Sequence, residues 1–112
     1  MNIIIAGCGK VGQALVTALT QEGHDIVVID NDADAISAIT NTHDIMSVCG
    51  DATDCDALSE AGVDGVRLFV SVTSSDEVNM LSCLIARRMG ARHTIARMRK
   101  PEYCDGKLKL TA

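Results

Sequence analysis

Residues 2–12 read NIIIAGCGKVG, and the interpretation of the whole chain starts from this stretch. The apolar, β-branched run at residues 2–6 ends at a glycine, a pattern typical of a strand buried on both faces. Three glycines, Gly7, Gly9 and Gly12, then follow within six positions. Glycine loses more conformational entropy on folding than any other residue, so this dense cluster needs a physical reason. We take a bound phosphate as that reason.

Each glycine has its own role in such a loop. Gly7 permits the sharp turn out of the strand, Gly9 removes a Cβ so that backbone can approach a pyrophosphate, and Gly12 lets the next helix lie close to the sheet. Unpaired N–H groups at the start of that helix then donate charge-assisted hydrogen bonds to the phosphates. Three more loop residues are candidate binding residues: Cys8, Lys10 and Val11.

The rest of the chain alternates between strand and helix patterns. Strands are predicted at residues 2–6, 25–30, 44–49, 66–72 and 92–98, with helices between them that end near glycines 23, 62 and 90. The predicted helix caps are Asp32, then Thr53 or Asp54, then Ser75 or Asp76. This order predicts an α/β protein of the Rossmann type: a doubly wound parallel sheet in a single domain, with helices on both faces.

The C-terminal end of the chain is less regular. We expect the domain to span residues 1–103, with residues 104–112 as a tail of uncertain structure. A six-stranded sheet of this class needs one more helix and strand. The sequence therefore predicts a domain that lacks its last helix and strand or borrows its edge from elsewhere.

Asp30 ends the second predicted strand, at the distance from the glycines that the dinucleotide fingerprint requires. Since Asp32 is the better cap for the following helix, Asp30 is left to accept hydrogen bonds from a ribose diol. A 2′-phosphate would face this carboxylate, with a repulsion of about 4 kcal/mol at 4 Å for one unit-charge pair, so NADP should be rejected. The ribose of ATP or ADP would be held equally well. Asn31 adjoins Asp30 and is also a candidate binding residue.

Two further segments follow strands at the same edge of the predicted sheet. Asp51 and Ala52 come after the third strand, where they border an adenine or merely form a turn and a helix cap. Thr73 and Ser74 come after the fourth strand, beside the switch point where open α/β sheets bind ligands. Capping of the long fourth helix would also explain one of them. Each pair therefore has a binding and a structural interpretation.

The charged residues exclude some classes of partner. The net charge of −5 and a pI near 4.9 argue against nucleic-acid binding. Basic residues gather only in ARMRK, residues 96–100, where Arg97 or Arg99 reaches a phosphate or a partner's acid, or else forms a solvated edge. No apolar run approaches the roughly 20 residues that cross a bilayer, and no signal segment opens the chain. We expect a soluble, cytoplasmic domain without direct membrane insertion.

Five scattered cysteines and three histidines carry no recognisable metal or catalytic spacing, so no metal site and no catalytic residue are predicted. Cys49 and Cys83 are expected to be buried as small hydrophobes. Cys8 is interpreted as a loop filler, with a reactive thiol near a helix start as the alternative. The nearly all-round apolar fourth helix is expected to be well buried, with a subunit-contact face as the alternative.

Over residues 1–103 the chain resembles the nucleotide-binding domain of Trk potassium-uptake regulatory subunits (TrkA type), a KTN or RCK domain. Five ordered segments carry the resemblance: MNIIIAGCGKVG (1–12), VVIDND (27–32), GDATD (50–54), VTSSDEVNMLSCLIARRMGA (72–91) and ARMRKPEY (96–103). The resemblance implies a cytoplasmic regulator, peripheral to the inner face of the plasma membrane, that binds NAD or NADH and in some members ATP or ADP. It also implies homodimers or a ring that control a membrane potassium transporter or channel.

The family pattern also implies roles for individual residues. It places phosphates at the three loop glycines, ribose at Asp30, adenine near Asp51 and crevice contacts at Thr73 and Ser74, and its late arginines match Arg97 and Arg99. Family members continue past Tyr103 into a helix, a strand and usually a second ligand-sensing domain. This sequence departs from the family pattern after Tyr103. Of the features that the resemblance implies, ring assembly and the outer edge of the sheet therefore have the least support from the sequence.

Two functions therefore remain open. The first is a nucleotide-sensing regulatory domain that is not an enzyme and controls potassium flux. The second is the cofactor-binding half of an NAD-dependent dehydrogenase, whose acid and base residues would lie in another domain. His24, His43 and His93 are each expected to be surface residues rather than general bases. A redox switch at Cys8 would rest on that residue alone.

Overall fold

In a computed structural model, which describes residues 1–104, five strands form one parallel sheet. The strands are β1 (Asn2–Ala6), β2 (Asp25–Asp30), β3 (Met46–Cys49), β4 (Leu68–Ser71) and β5 (His93–Ala96). Their spatial order is β3-β2-β1-β4-β5, so the winding reverses between β1 and β4. The predicted doubly wound, Rossmann-type class is confirmed, and the reversal creates a crevice at the carboxyl ends of these two strands.

Helices cover both faces of this sheet. They are α1 (Lys10–Gln21), α2 (Ala33–Thr40), α3 (Cys55–Glu60), α4 (Asp76–Arg88) and the short α5 (Pro101–Cys104). On one face, α1 and α2 pack against Ile3, Ile5 and Val28. On the other, α3 and α4 pack against Ile4 and Phe69. Because its alternate residues point to opposite faces, β1 contributes to both cores, and each such buried apolar side chain stabilises the fold by about 1.5–3 kcal/mol.

The first two strands have the predicted bounds, whereas the other three are shorter than predicted. The strands predicted at 44–49, 66–72 and 92–98 are reduced to the four-residue strands β3, β4 and β5. Pairing length is the physical reason. On its β4 side, β1 pairs through Ile3–Ala6 with the four residues Leu68–Ser71, and on its other side β4 pairs with the four residues His93–Ala96. Beyond these segments the pairing ends after single backbone hydrogen bonds, such as those from the Val72 N–H to the Ala6 carbonyl and from the Arg97 N–H to the Ser71 carbonyl.

The structure identifies one capping residue for each of the helices α2, α3 and α4, and each is among the predicted candidates. Asp32 accepts hydrogen bonds from the N–H groups of Asp34 and Ala35 at the start of α2. Asp54 caps α3 and Ser75 caps α4. These side chains satisfy N–H groups that a helix start leaves without partners.

The expectation of a well-buried fourth helix is wrong. Leu81 and Leu84 of α4 are exposed, at 48% and 41%, whereas Asp76, Asn79 and Ser82 are buried. The buried face of α4 is polar in its first two turns because hydrogen bonds to β4 and to the segment after β5 replace apolar packing there. Of this helix, Cys83 and Ala86 are buried in the apolar core, and Ile85 is partly buried against it.

Two further expectations concern cysteines and the chain end. Cys83 is buried as predicted, but Cys49 is exposed because it ends the short edge strand β3. Of the predicted tail at 104–112, only Cys104, which ends α5, belongs to the described residues. The additional helix and strand of a six-stranded sheet would likewise fall outside them. Within residues 1–104, no helix combines the length and apolar character needed to span a bilayer.

Candidate functional site

A cleft of about 720 Å³ lies at the carboxyl ends of the strands, across the reversal point of the sheet. This volume is within the range of small-molecule binding sites. Twelve of the thirteen predicted site residues line it: Gly7, Cys8, Gly9, Lys10, Val11, Asp30, Asn31, Asp51, Ala52, Thr73, Ser74 and Arg97. Gly12 does not line the cleft, because it lies beneath the loop.

The three loop glycines differ in what surrounds them. Gly7 has a φ of +110°, and a Cβ there would lie 3.0 Å from the carbonyl group of Val72. A Cβ on Gly12 would overlap the Gly7 carbonyl oxygen. A Cβ on Gly9, by contrast, meets no atom within 4 Å. The fold itself therefore requires glycine at positions 7 and 12, whereas at position 9 the missing side chain leaves open space in the cleft.

The start of α1 carries donors without acceptors. Gly9 occupies the N-cap position, so no side chain caps this helix, and its first turn has no acidic residue. Among residues 1–104, no acceptor pairs with the N–H groups of Gly9, Lys10 and Val11. The starts of α2 and α4, in contrast, have both a capping side chain and first-turn acids. The loop thus presents backbone donors and the positive end of the helix dipole to the cleft, which suits an anion.

Asp30 connects the loop to the end of β2. Its Oδ2 accepts a hydrogen bond of 2.8 Å from the Cys8 N–H, and its Oδ1 accepts one of 2.8 Å from the Asp32 N–H. Asp32 is the cap of α2, as predicted. Asp30 does not cap that helix, but both of its carboxylate oxygens already accept hydrogen bonds from the backbone. Each carboxylate oxygen has two lone pairs, so the group can still accept hydrogen bonds from a ligand while it holds the loop.

Cys8 is a buried part of the loop. Its side chain is 1% exposed, and burial together with the Asp30 and Asp32 carboxylates raises the pKa of its thiol to about 11. The thiolate is the reactive form of cysteine. The loop-filler interpretation therefore fits the structure, and the alternative of a reactive thiol near the helix start does not.

The wall beside β3 is built from a tight turn. Asp51 Oδ1 accepts hydrogen bonds from the N–H of Thr53 at 3.0 Å and from its hydroxyl at 2.8 Å. The hydrogen bond from the Thr53 N–H, followed by that from the hydroxyl, lowers the pKa of Asp51 below its usual 3.8. Asp51 therefore stabilises the turn and also lines the cleft, and Ala52 lies beside it, 7% exposed. The structural and binding interpretations of Asp51 are compatible.

The opposite wall follows β4. Ser75 caps α4 through a 3.2 Å hydrogen bond from the Val78 N–H, so neither Thr73 nor Ser74 is the cap. The Thr73 hydroxyl donates to Asn79 Oδ1 at 2.7 Å. Ser74 is exposed at the rim of the cleft. Thr73 is thus held from within the protein, while the Ser74 side chain faces the solvent.

The two late arginines have different surroundings. The Arg97 side chain lines the cleft, and within residues 1–104 its guanidinium has no hydrogen-bond or ion-pair partner. Arg99 instead donates from Nη2 to the Ser74 carbonyl at 3.1 Å. Arg97 and Lys10 are therefore the cations available to a ligand in the cleft, and Arg99 stabilises the wall.

Sequence reasoning missed some residues around the cleft. Six more residues line it: Ile29, Asp32, Gly50, Val72, Ser75 and Val78. Most of them adjoin predicted site residues, and their position at or shortly after the carboxyl end of a strand was the signal in the sequence. Val78 lies one turn into α4, and only the position of that helix brings it to the cleft. No histidine lines the cleft, and the described residues hold no cluster of three metal-ligating side chains.

A second cavity, of about 440 Å³, lies at the opposite end of the sheet. It is lined in part by the first residues of β1 and β2 and by Asp44, Ile45 and Met46. It contains no glycine loop or helix start, and ligands of open α/β sheets bind at the carboxyl ends of the strands instead. The larger cleft is therefore the candidate site.

Comparison with known proteins identifies relatives of the chain. The family model described as the TrkA-N domain matches residues 3–112. A Trk system potassium uptake protein TrkA homolog of Archaeoglobus fulgidus is 38% identical over 105 residues, which are 94% of this chain and 24% of that protein. TrkA of Streptomyces coelicolor is 38% identical over 106 residues, 94% of this chain and 48% of its own length. The chain thus spans about a quarter to a half of these relatives.

Solved structures show the same fold. The GsuK channel bound to NAD superposes with a TM-score of 0.81 at 24% identity, over 93% of this chain and 19% of that one. The Kef C-terminal domain of Shewanella denitrificans in its AMP-bound form has a TM-score of 0.73 at 23% identity, over 85% of this chain and 57% of that one. At these identities the likeness establishes the fold alone.

Proposed function

The chain belongs to the TrkA-N domain family, and from this premise we propose that it is a nucleotide-sensing regulatory domain. It binds NAD or NADH in the cleft at the carboxyl ends of the strands, and it also accepts ADP or ATP. Ligand binding changes the balance between two states of the domain, and a membrane potassium transporter or channel responds to that balance. Such control requires that the ligand have different affinities for the two states.

The observation that carries this proposal is the pairing of an uncapped helix start with a carboxylate at the end of the neighbouring strand. The N–H groups of Gly9, Lys10 and Val11 would hold the diphosphate, and Asp30 would hold the adjoining ribose. Gly9 leaves the space that a phosphate would occupy. Asp51 and Ala52 would border the adenine, while Thr73, Ser74 and Arg97 would contact the remainder of the ligand.

The wider setting of the domain is proposed from its relatives. The TrkA proteins to which it is similar are named for potassium uptake, and the channel structure with the same fold holds NAD. We place the domain in the cytoplasm, at the inner face of the plasma membrane, next to its transporter. Self-association as a dimer or a ring would use the exposed Leu81 and Leu84 of α4.

We favour a regulatory role over the dehydrogenase alternative because the relatives that the chain matches are named potassium uptake proteins. Hydride transfer to a carbonyl substrate needs a proton donor or acceptor near the reacting atom. The polar groups of the described cleft include backbone donors, carboxylates that hold turns, hydroxyl groups, and the basic side chains of Lys10 and Arg97. These groups suit nucleotide binding and form no acid–base pair, so we assign no catalytic residue to the described cleft; a dehydrogenase would supply its acid and base from another domain.

Calorimetric titration tests the binding proposal. We expect NAD, NADH, ADP and ATP to bind with one ligand per chain, and NADP to bind at least about tenfold more weakly, because its 2′-phosphate would face Asp30. Asp30→Ala should weaken NAD binding by a similar factor. Equal affinity for NAD and NADP, or full NAD binding by Asp30→Ala, would contradict the assignment of Asp30.

The regulatory part needs a separate test in the organism. Asp30→Ala introduced into the chromosomal gene should impair growth at limiting potassium and leave growth at high potassium unchanged. Normal growth at limiting potassium, from a variant shown to have lost NAD binding, would contradict nucleotide control of potassium uptake.

A further inference from the structure

The first two turns of α4 bury a row of polar side chains that the nucleotide-binding residues alone do not explain. Asp76, Asn79 and Ser82 are 4%, 0% and 0% exposed and follow one another at intervals of three residues. A buried polar group without a partner costs about 1–3 kcal/mol, so every one of these groups needs a hydrogen bond. Within the described residues, no buried side-chain nitrogen or oxygen lacks one.

Asn79 has the largest share of these bonds. Its Oδ1 accepts from the Ser71 hydroxyl at 3.0 Å, from the Thr73 N–H at 2.9 Å and from the Thr73 hydroxyl at 2.7 Å. Its Nδ2 donates to the carbonyl oxygens of Thr73 at 3.1 Å and Arg97 at 2.9 Å. Only an amide supplies both an acceptor and two donors on one short side chain. A reversed amide would set Oδ1 against two carbonyl oxygens.

Four of these five bonds, three with Thr73 and one with Arg97, join two segments that are distant in the sequence but adjacent in the cleft. Thr73 lies in the loop after β4, and Arg97 lies directly after β5. Both residues line the cleft, whereas Asn79 itself does not. Asn79 therefore fixes the distance between the Thr73 backbone and the backbone from which the Arg97 guanidinium extends.

A second clamp on the same helix supports this wall. Asp76 Oδ2 accepts hydrogen bonds from the N–H groups of Arg99 at 2.8 Å and Lys100 at 2.7 Å. Arg99 in turn donates from its side chain to the Ser74 carbonyl. Two side chains of α4 thus hold the segment after β5: Asn79 binds it at Arg97, and Asp76 binds it at Arg99 and Lys100. The Arg99 side chain connects this segment to the loop after β4.

The order of strands determines which part of a ligand this wall would meet. Asp30 ends β2, the glycine loop follows β1, and Thr73 follows β4, and these three strands are adjacent in the order β2-β1-β4. A dinucleotide with its adenosine ribose at Asp30 and its diphosphate on the loop must therefore extend its second nucleoside toward Thr73 and Arg97.

We propose that Asn79 is a positioning residue for the second nucleoside of a bound dinucleotide, through its hydrogen bonds to Thr73 and to the Arg97 carbonyl. This inference rests on the proposed function, because it presupposes that NAD binds in the cleft. ADP, which lacks the second nucleoside, does not depend on Asn79.

The test compares the NAD and ADP affinities of three proteins by calorimetry, well below their unfolding temperatures. For Asn79→Ala, we expect the ratio of NAD to ADP affinity to fall about tenfold. Ser82→Ala is the matched control. Ser82 is as buried as Asn79, and its hydroxyl donates to the Ser71 hydroxyl at 2.8 Å or to the Asn79 backbone carbonyl at 3.2 Å, but it makes no hydrogen bond to Thr73 or Arg97. Ser82→Ala should retain the wild-type ratio.

A measurement on the wild-type protein covers the case in which Asn79→Ala fails to fold. In NMR titrations of the ¹⁵N-labelled chain, the Asn79 side-chain amide and the Thr73 N–H should shift on addition of NAD and stay in place on addition of ADP. Shifts of the Gly9, Lys10 and Val11 amides with both ligands report that both occupy the loop.

The outcomes separate the two proposals. A wild-type chain that binds no NAD overturns the proposed function and this inference together. A wild-type chain that binds NAD, with an unchanged affinity ratio in Asn79→Ala or with equal NMR responses of Asn79 to NAD and ADP, overturns the inference alone. An equal fall of the NAD-to-ADP affinity ratio in Ser82→Ala would show a general effect of the buried network, and it would also overturn the inference about Asn79.

Discussion

Gly9 and Gly12 are one turn of helix apart, yet the structure gives them opposite requirements. A Cβ at Gly12 overlaps the Gly7 carbonyl oxygen, whereas a Cβ at Gly9 meets nothing within 4 Å. Gly9 also has a φ of −74°, which any residue adopts. The structure thus agrees with the separate roles predicted from the sequence: Gly12 is required by close packing within the fold, and Gly9 leaves space beside the helix start.

Alanine substitution separates these roles. Gly9→Ala should change the free energy of unfolding by less than about 1 kcal/mol but weaken NAD binding at least about tenfold, since its methyl group enters the space of the diphosphate. Gly12→Ala should destabilise the fold by about 1–3 kcal/mol, because the new methyl group displaces α1 from the loop. Urea denaturation and calorimetric titration measure the two effects. A Gly9→Ala variant with wild-type NAD affinity would contradict the position assigned to the diphosphate.

Cysteine reactivity is a second test at this scale. Cys8 and Cys83 are buried, and burial raises the pKa of each thiol to about 11, with the Asp30 and Asp32 carboxylates adding to the effect at Cys8. Cys49 and Cys55 are exposed. At pH 7.5, iodoacetamide should modify Cys49 and Cys55 in the native protein and reach Cys8 and Cys83 only after denaturation. Peptide mass spectrometry measures the order in which the cysteines are alkylated. Modification of Cys8 in the native protein would support the reactive-thiol interpretation instead.

At the scale of elements, α4 shows where sequence reasoning works and where it fails. Its cap, its ending at Gly90 and its place after β4 follow from local residue chemistry, and all are predictable. Which face it buries is not, because Asp76, Asn79 and Ser82 are buried only through hydrogen bonds to residues that the chain brings back from elsewhere. An apolar pattern ranks side chains by hydrophobicity and carries no information about such partners.

The Asp76 clamp predicts a pH dependence. The N–H of Lys100, and then that of Arg99, hold the pKa of Asp76 below its usual 3.8 against the opposing effect of burial. A carboxyl with a depressed pKa in the folded state stabilises the fold at pH values above its unfolded pKa. That contribution is lost as the pH falls through the lower, folded value. The wild-type protein should therefore lose stability as the pH falls below about 4.

Asp76→Asn tests this account by urea denaturation between pH 2.5 and 7. The variant should be less stable than wild type at pH 7, and its stability should fall less steeply below pH 4. Asp25→Asn, at an exposed carboxylate at the opposite end of the sheet, serves as the control and should follow the wild-type curve. Parallel acid profiles of wild type and Asp76→Asn would show that Asp76 contributes no pH-dependent stability.

At the scale of the whole molecule, the alternation of strands and helices was enough to predict a doubly wound sheet, and the glycine loop with Asp30 was enough to predict where its cleft lies. Twelve of the thirteen predicted site residues line that cleft, because carboxyl ends of parallel strands meet at one edge of a sheet. The structure adds how the walls are held. Thr73 and Arg97 are 24 positions apart in sequence, and no local pattern links either residue to Asn79.

The exposed apolar face of α4 leads to a prediction about assembly. Leu81 and Leu84 lie one turn apart, both exposed, on a helix whose opposite face is buried. If the domain self-associates through them, Leu81→Ser with Leu84→Ser should weaken association at least about tenfold in sedimentation velocity. Met46→Ser, at a side chain 71% exposed on the edge strand β3, is the control. Unchanged association of the double variant would place the contact elsewhere.

A crystal structure of the chain with NAD tests the central claim most directly. We expect diphosphate oxygens about 3 Å from the backbone nitrogens of Gly9, Lys10 and Val11, with the adjoining ribose diol on the Asp30 carboxylate. NAD seated in the cavity at the opposite end of the sheet, or a diphosphate that makes no contact with these three N–H groups, would contradict the account.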